Sequence, residues 1–257
     1  MSAYLPPDAL DRPFDPKEFN PEVLQGQYQE ITNLLLASHC GIKAIKTKLE
    51  ILSDEMQIQD QRNPIEYIRS RIKSFDSIVG KLQRRGFPVT VESARRELYD
   101  IAGVRVVCAF VDDIYRIANM LAAQSDVKLL LVKDYIRNPK PSGYRSYHMI
   151  VEVPVYFSNH SEQVRVEVQI RTIAMDFWAT LEHQLNYKRG LDADGEIARK
   201  LRACADSIAG TDREMQVIRD MVDSLDQPQE TLDPLKMMAH VANIVGRPIP
   251  DREKDAR

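Results

Sequence analysis

The sequence predicts an α/β (α+β) fold in which a mixed central β-sheet is flanked by helices and extended by helices at both ends. Two observations carry this prediction: β-rich runs with alternating apolar side chains fill the middle of the chain, and helical patterns are interleaved with them. The β-rich runs are residues 103–110, 129–133, 147–155 and 164–170. The interleaved helical patterns are residues 75–85, 113–123 and 173–188.

Both ends of the chain carry the apolar spacing of amphipathic helices. Over residues 24–56 an apolar residue recurs every three or four positions, which predicts one helix or a helix pair divided at Gly41. The same spacing returns over residues 197–225. Spacing leaves open whether these stripes pack on their own domain or on another subunit, and packing within the domain is the commoner outcome. A further stripe, on the 173–188 pattern, is predicted to face the core: Ile173, Phe177, Leu181 and Leu185.

The predicted organisation has five parts. They are a flexible lead rich in Pro and Asp (1–20), an N-terminal helical segment (21–64), a catalytic core (65–190), C-terminal helices (191–245) and a frayed tail (246–257).

Composition excludes several classes of protein. The chain has 257 residues, 44% hydrophobic and 28% charged, which are globular values and exclude wholesale disorder. It has neither the ~18 consecutive apolar residues of a membrane span nor a secretory signal. Three cysteines without a CxxC pair predict a reducing, cytoplasmic location. The net charge of −3 disfavours a wholly basic nucleic-acid coat, and no P-loop or GxGxxG motif is present.

The run 164–171 is the clearest chemical signal. Successive side chains of a strand point to opposite faces, so one face here is Val, Val, Val, Ile and the other carries Arg165, Glu167, Gln169 and Arg171. A carboxylate between two guanidinium groups suits a binding site, but a solvent-exposed sheet face with charge pairs has the same pattern.

A second acid stands at the edge of another predicted strand. Asp100 precedes the run 103–110, and Gly103 permits close backbone approach. Magnesium binds one or two carboxylates and leaves its other positions to water and phosphate, so Asp100 and Glu167 on neighbouring strands are a candidate pair. The alternative is that Asp100 caps a turn.

Two basic segments are candidates for nucleotide binding. Residues 62–85 hold seven basic and two acidic side chains, and Arg71 and Lys73 are predicted at the entry of a helix on which Ser77 and Lys81 share a face. This predicts a polyphosphate clamp, with a solvated or RNA-contacting basic face as the alternative. The Pro- and Gly-rich loop before residue 147 contains Lys140, Tyr144 and Arg145, and Lys133 and His148 flank it. An aromatic ring beside cations suits a stacked base and its phosphates.

Four blocks in these segments resemble the signature blocks of the alarmone synthetase domain of the RelA/SpoT superfamily. They are RIKSFDSIVGKL, DIAGVRVVCAF, KDYIRNPKPSGYRSYHMIV and VEVQIRTIAMDFWATLEHQLNYK, in the family's order, over roughly residues 65–188. The chain closely resembles the single-domain small alarmone synthetases. Long relatives add a hydrolase domain with a His-Asp motif. This sequence has no His-Asp dipeptide and about 65 residues before the first block, so the resemblance implies no hydrolase domain.

The resemblance implies a nucleotidyltransferase-like synthetase fold and a GTP/GDP diphosphokinase of the stringent response. With Mg²⁺, such an enzyme transfers pyrophosphate from ATP to the 3′-hydroxyl of GDP, GTP or GMP and releases AMP. The family's pattern places Asp100 as the magnesium carboxylate, and Glu167 as the group that activates the 3′-hydroxyl or shares the metal. It assigns to ATP Arg71, Lys73, Ser77, Lys81 and Arg105. It assigns to the guanine nucleotide Lys133, Lys140, Tyr144, His148, Gln169 and Arg171, with Tyr144 stacking on the base. The long enzymes often have Asn where this chain has Ser142.

The resemblance also implies partners. Small synthetases assemble into homotetramers, some with an allosteric alarmone site between subunits, and no membrane partner is expected. Two competing hypotheses stay open at this point: a catalytically silent relative that binds single-stranded RNA, and another magnesium-dependent nucleotidyltransferase. The presence of both Asp100 and Glu167 disfavours RNA binding, because carboxylates repel a phosphate backbone.

Overall fold

The computed structural model describes residues 21–60, 62–189 and 195–225, together with positions 238 and 242. The elements in chain order are α1 (Pro21–Asp60), β1 (Ile65–Ile72), α2 (Phe75–Arg84), α3 (Val91–Glu97), β2 (Ala102–Cys108), α4 (Val111–Ala122), β3 (Lys128–Asp134), β4 (Tyr147–Tyr156), β5 (Ser161–Thr172), α5 (Ile173–Arg189) and α6 (Glu196–Leu225). The predicted lead, the tail and the part of the predicted C-terminal helices beyond residue 225 lie outside the described residues, apart from those two positions. The five-part division therefore stays a prediction.

The strands form one mixed sheet in the order β1-β2-β5-β4-β3, which confirms the predicted fold class. At its centre β2 and β5 run parallel, and every other neighbouring pair is antiparallel. Residues side by side on neighbouring strands point to the same face. The register thus sets two polar rows across one face: Arg71, Gly103, Glu167 and Ile150, and next to it Arg69, Arg105, Gln169, His148 and Lys133.

The opposite face of the sheet holds the main core. Along β5 the apolar positions Val164, Val166, Val168 and Ile170 are buried, as their alternation predicts. They pack in one cluster with α1 and α4, including the fully buried Ile45, Leu49 and Ile117. From Ala37 to Met56 the N-terminal stripe therefore packs within the domain, whereas Tyr28 is exposed. None of the helices in the described part of the chain is long and apolar enough to cross a bilayer.

The helix α1 is continuous through Gly41, so the predicted point of division is not a break. A Cβ built at Gly41 would lie 2.6 Å from Cγ1 of Val164. The glycine is present because the helix crosses β5 too closely for any side chain, and its low helix propensity is outweighed by that packing.

We expect a Gly41→Ala substitution to destabilise the fold by about 1–3 kcal/mol, because Val164 is β-branched and buried and has little room to move. Gly210→Ala in α6 is the matched control, since the nearest atom to its new Cβ is 4.0 Å away. The free energy of unfolding of that control is expected to rise by about 0.5–1 kcal/mol, because alanine has the higher helix propensity. Urea unfolding of both variants measures the difference, and equal stabilities would contradict the close-approach explanation.

Two sequence expectations about helices are wrong. Arg71 lies in strand β1 rather than at the entry of a helix, although α2 begins at Phe75 as predicted and Lys73 lies just before it. The stripe on α5 does not face the core: its four members are 42–57% exposed, and the buried side of α5 is Met175, Trp178 and Ala179. Apolar spacing identifies a stripe but not the surface that covers it. In α5 the shorter set of Met175, Trp178 and Ala179 packs into the core instead.

The C-terminal helix α6 is covered only over its first half. Ala205 and Ala209 are buried, whereas the apolar side chains beyond Asp212 are about half exposed or more. The exposed members are Met215, Val217, Ile218, Met221, Val222 and Leu225. Together with the exposed α5 stripe, this leaves apolar surface of the kind that marks a contact with another molecule.

Candidate active site

A cleft opens on the polar face of the sheet, where the two polar rows cross the parallel strands β2 and β5. Asp100, just before β2, and Glu167 of β5 both line it. The other lining residues are Lys81, Arg85, Tyr99, Leu131, Lys133, His148 and Ile150. The two predicted carboxylates therefore share one cavity with positive charge around it.

Asp100 is held by two ammonium groups. Its Oδ2 accepts hydrogen bonds from Nζ of Lys73 at 2.8 Å and Nζ of Lys81 at 2.7 Å. Burial alone would raise the pKa of Asp100, but the hydrogen bonds and charges of the two lysines outweigh it and the pKa lies below its ordinary value. Asp100 is thus a carboxylate at neutral pH.

The other oxygen of Asp100 has no protein partner. Among the residues that the structure describes, Oδ1 is the buried side-chain oxygen or nitrogen that lacks a hydrogen bond. Buried polar atoms are almost always satisfied, so an orphaned carboxylate oxygen in a cleft suits a hard cation. The described residues hold no group of three or more His, Cys, Asp or Glu that could form a closed metal site. One or two carboxylates with open positions is the arrangement that Mg²⁺ accepts.

Both oxygens of Glu167 are engaged. Nδ1 of His148 lies 3.3 Å from Oε1, and Nε2 of Gln169 donates to Oε2 at 2.9 Å. Burial acts to raise the pKa of Glu167, as does the charge of Asp100, but the hydrogen bonds from His148 and Gln169 leave that pKa below its ordinary value. The carboxylate is therefore ionised at neutral pH and fixed in orientation.

The hydrogen-bond directions around His148 can be assigned from chemistry. Arg171 can only donate, so the Tyr144 hydroxyl accepts from its Nη2 at 2.6 Å and gives its own proton to Nε2 of His148 at 2.8 Å. Nε2 then carries no proton, which leaves the Nδ1–H to face Glu167. Burial lowers the pKa of His148 and outweighs the opposing effect of Glu167, so the neutral ring with this tautomer is the form at neutral pH.

Cations surround the aromatic residues of the loop between β3 and β4. The ammonium of Lys140 lies 4.8 Å from the ring centroid of Tyr135 and 4.7 Å from that of Tyr144. The guanidinium of Arg171 lies 5.2 Å from the Tyr144 centroid. The predicted combination of a flat ring with positive charge is therefore present in space.

This loop is docked on α6. Gly143 has φ +90°, and a Cβ built there would lie 2.7 Å from Cβ of Ala205. Next to it, Arg145 donates to the Ala205 carbonyl at 3.2 Å and to Asp206 at 3.0 Å. Glycine is required here both for the left-handed backbone and for the close approach.

The remaining predicted residues are placed less centrally. Arg105 lies 3.2 Å from Asp176, and burial and the charge of Arg171 lower its pKa, although it stays charged. Arg71 is exposed on β1 and packs over Gly103. Ser77 is exposed in the first turn of α2, where the Ser74 hydroxyl donates to it at 2.8 Å.

Several contributors to the site were not predicted from the sequence. Some line the cleft, namely Arg85, Tyr99, Leu131 and Ile150, and others lie behind it, namely Asp176, Tyr67 and Tyr135. Asp176 accepts from Tyr67 and Arg171 at 2.9 Å each, and the Tyr135 ring packs edge-on against His148. Asp176 lies inside the last signature block, but its partners come from β1, β2 and β5, so only the fold reveals its surroundings.

Comparisons with known proteins agree on one family. Residues 70–192 match the family model described as the region found in RelA/SpoT proteins. GTP pyrophosphokinase YwaC of Bacillus subtilis is 44% identical over 74% of this chain and 91% of its own length. The crystal structure of B. subtilis small alarmone synthetase 2 has 43% identity and a TM-score of 0.68, over 75% of this chain and 99% of that chain. Small alarmone synthetase 1 of the same organism, bound to its product pppGpp, has 34% identity and a TM-score of 0.69, over 77% and 100%.

Proposed function

This chain belongs to the small alarmone synthetases of the RelA/SpoT family and is a GTP pyrophosphokinase, and from that premise we propose how its cleft divides between two nucleotides. The family and the activity agree with the sequence expectation. The proposal concerns the donor, the acceptor, the metal and the role of each side chain.

ATP takes the side of the cleft formed by β1, α2 and the start of β2. Lys73 and Lys81 stand there with their ammonium groups 2.8 and 2.7 Å from Asp100, close enough to move onto phosphate oxygens when a triphosphate enters. The other donor-side contacts come from Arg71, Ser77 and Arg105. Arginine and lysine neutralise the several negative charges that gather in the transition state.

GDP or GTP takes the side formed by β3, β4, β5 and their connecting loop, with GMP as a further acceptor. Tyr144 offers a ring face to guanine, and the phosphates fall among Lys133 and Lys140. Arg171 lines this side through its hydrogen bonds to Tyr144 and Gln169. His148 and Gln169 hold Glu167 next to the ribose. The acceptor therefore presents its 3′-hydroxyl to a carboxylate whose orientation is already set.

Asp100 and Glu167 are the residues that would hold Mg²⁺, and the orphaned Oδ1 of Asp100 supports this assignment. When bound, the ion would neutralise phosphate charge and help to align the reacting groups. The negative charge of Asp100 acts to raise the pKa of Glu167, as expected of two carboxylates that share one cleft.

The transfer forms one bond and breaks one. The 3′-oxygen of the guanine nucleotide attacks the β-phosphorus of ATP, and the bond from that phosphorus to the oxygen bridging the α-phosphate breaks. AMP leaves with the bridging oxygen, and Glu167 takes the proton of the 3′-hydroxyl. A ribose hydroxyl is a poor nucleophile at neutral pH, so this carboxylate supplies the activation that the step needs.

One observation carries the proposal: two ionised carboxylates line a single cleft with lysines on one flank and the Tyr144–His148 pair on the other. The test is incubation with ATP, Mg²⁺ and GDP, GTP or GMP in turn, followed by separation of the nucleotides. We expect AMP and a guanosine 3′-diphosphate product in equal amounts. Formation of AMP without the guanosine product, or of free pyrophosphate with nucleotide transfer, would contradict it.

The competing hypothesis of single-stranded RNA binding is tested separately by a gel shift. The donor-side lysines are paired with Asp100 rather than free for a backbone. Addition of guanosine tetraphosphate to the synthesis assay tests the implied allosteric alarmone site, since activation requires binding outside the cleft.

We further propose that the chain is a homo-oligomer, a tetramer by analogy with its family, through the exposed stripes of α5 and α6. Light scattering should give a particle mass that is a multiple of the 29.5 kDa chain mass. Replacing Met221 and Val222 with Gln should lower the measured particle mass. A monomer at micromolar concentration would contradict this. A cytoplasmic location is proposed on the free state of the three cysteines.

A further inference from the structure

Asp176 is a buried carboxylate in the first turn of α5 that the proposed mechanism does not use. Its Oδ1 accepts from Nη1 of Arg171 at 2.9 Å and lies 3.2 Å from Nη1 of Arg105. Its Oδ2 accepts from the Tyr67 hydroxyl at 2.9 Å. The side chain is only 5% exposed, so these contacts are made away from water and hold their geometry firmly.

Arg171 connects Asp176 to Glu167 by two separate routes. From its Nη2 one route passes through the Tyr144 hydroxyl and His148 to Oε1 of Glu167. The other passes from the same nitrogen to Oε1 of Gln169 at 2.9 Å, and from Nε2 of Gln169 to Oε2 of Glu167. Each oxygen of the Glu167 carboxylate is thus oriented from one guanidinium group.

The remaining nitrogens of Arg171 are anchored. Nε donates to the Ser146 hydroxyl at 3.3 Å, and Nη1 donates to Asp176. Arg171 is buried and close to the charge of Arg105, which acts on it repulsively. A buried guanidinium without a counter-charge is costly, and among the hydrogen-bond partners of Arg171 in the described part of the chain Asp176 is the anionic one.

We propose that Asp176 is a positioning residue of the synthetase site, which fixes Arg171 and thereby the His148 tautomer and both oxygens of Glu167. This inference rests on the proposed function, because it assumes that the orientation of Glu167 limits turnover. Asp176 itself touches neither the cleft-lining carboxylates nor the reacting groups.

A purely structural ion pair is the alternative, and the chain supplies a matched control for it. Asp113 is also buried, with a side chain 2% exposed, and accepts from Nη1 and Nη2 of Arg62 at 2.8 and 2.6 Å. It lies at the start of α4, on the apolar side of the sheet. Asp113→Asn therefore reports the cost of losing a buried aspartate–arginine pair away from the cleft.

The experiment compares Asp176→Asn with Asp113→Asn. Both are expected to lower the melting temperature, but only Asp176→Asn should lower kcat, by about 10- to 100-fold as for other groups that orient an essential side chain. In a Glu167→Gln background, Asp176→Asn should cause no further loss of kcat at saturating ATP, the nucleotide that Arg105, the other arginine beside Asp176, is proposed to contact. Equal kcat losses in the two aspartate variants, or an unchanged kcat in Asp176→Asn, would overturn the proposal.

A second readout does not depend on activity. Long-range ¹H–¹⁵N correlation spectra of the full chain should show His148 protonated at Nδ1 in the wild type, with its signals assigned by their loss in His148→Gln. We expect a mixture of the two His148 tautomers in Asp176→Asn and the single wild-type tautomer in Asp113→Asn. An unchanged His148 tautomer in Asp176→Asn would overturn the positioning role. Absence of alarmone synthesis by the wild type would instead contradict the proposed function, and the spectra separate the two results.

Discussion

A Glu167→Gln variant is expected to lose about 10²–10⁴-fold in kcat while keeping its fold. Glutamine has the same shape and can still accept from His148 or Gln169, but it cannot take the proton of the 3′-hydroxyl. The loss should therefore fall on kcat, with smaller changes in the KM for either nucleotide, and steady-state measurement of AMP release with saturating ATP and GDP checks it.

Glu152→Gln is the matched control for Glu167→Gln. Glu152 lies on the neighbouring strand β4 with a side chain 16% exposed, against 17% for Glu167, and its partners are Lys128 and Arg165. We expect nearly wild-type turnover from it. If Glu167→Gln turned over as fast as Glu152→Gln, the base assigned to the reaction would be the wrong residue.

An Asp100→Asn variant is expected to lose about 10²–10³-fold in kcat/KM for ATP and to need more magnesium for half-maximal activity. The substitution removes the charge that holds Lys73 and Lys81, and it replaces one carboxylate oxygen with a donor that repels a cation. Initial rates across a magnesium titration at fixed ATP separate these effects from simple unfolding.

The Asp113→Asn variant serves again as the control, because it removes a buried, doubly bonded carboxylate outside the cleft. Its magnesium requirement should match that of the wild type. An Asp100→Asn enzyme with an unshifted magnesium requirement would show that Asp100 orders the lysines but does not bind the metal.

The sequence predicted best where a pattern is local. The alternation along β5 placed Val164, Val166, Val168 and Ile170 in the core and Glu167 on the opposite face, and the structure confirms both. The pairing of Asp100 with Glu167 in one cleft was also predictable, because Asp100 stands at the edge of one predicted strand and Glu167 on the polar face of another. Local periodicity is a direct consequence of backbone geometry.

Predictions from the sequence failed for features that depend on which distant segment packs against a residue. Strand β1 reads as part of a basic segment because Arg69 and Arg71 alternate with Ile and Ser, and only pairing with β2 shows it to be a strand. The α5 stripe was assigned to the core because spacing carries no information about the covering surface. Asp176 was missed for the same reason, since its importance comes from partners brought together by three strands.

The parallel pairing of β2 with β5 joins segments far apart in the chain, with Ala102 opposite Val166. Such non-local contacts form late, because the loop between them must close before the contacts stabilise it. This pairing joins the donor half of the cleft on β1 and β2 to the acceptor half on β3, β4 and β5, so a refolding chain should recover helical signal well before it recovers catalysis. Enzymatic activity in this protein is consequently a report on completed folding rather than on the formation of any single element.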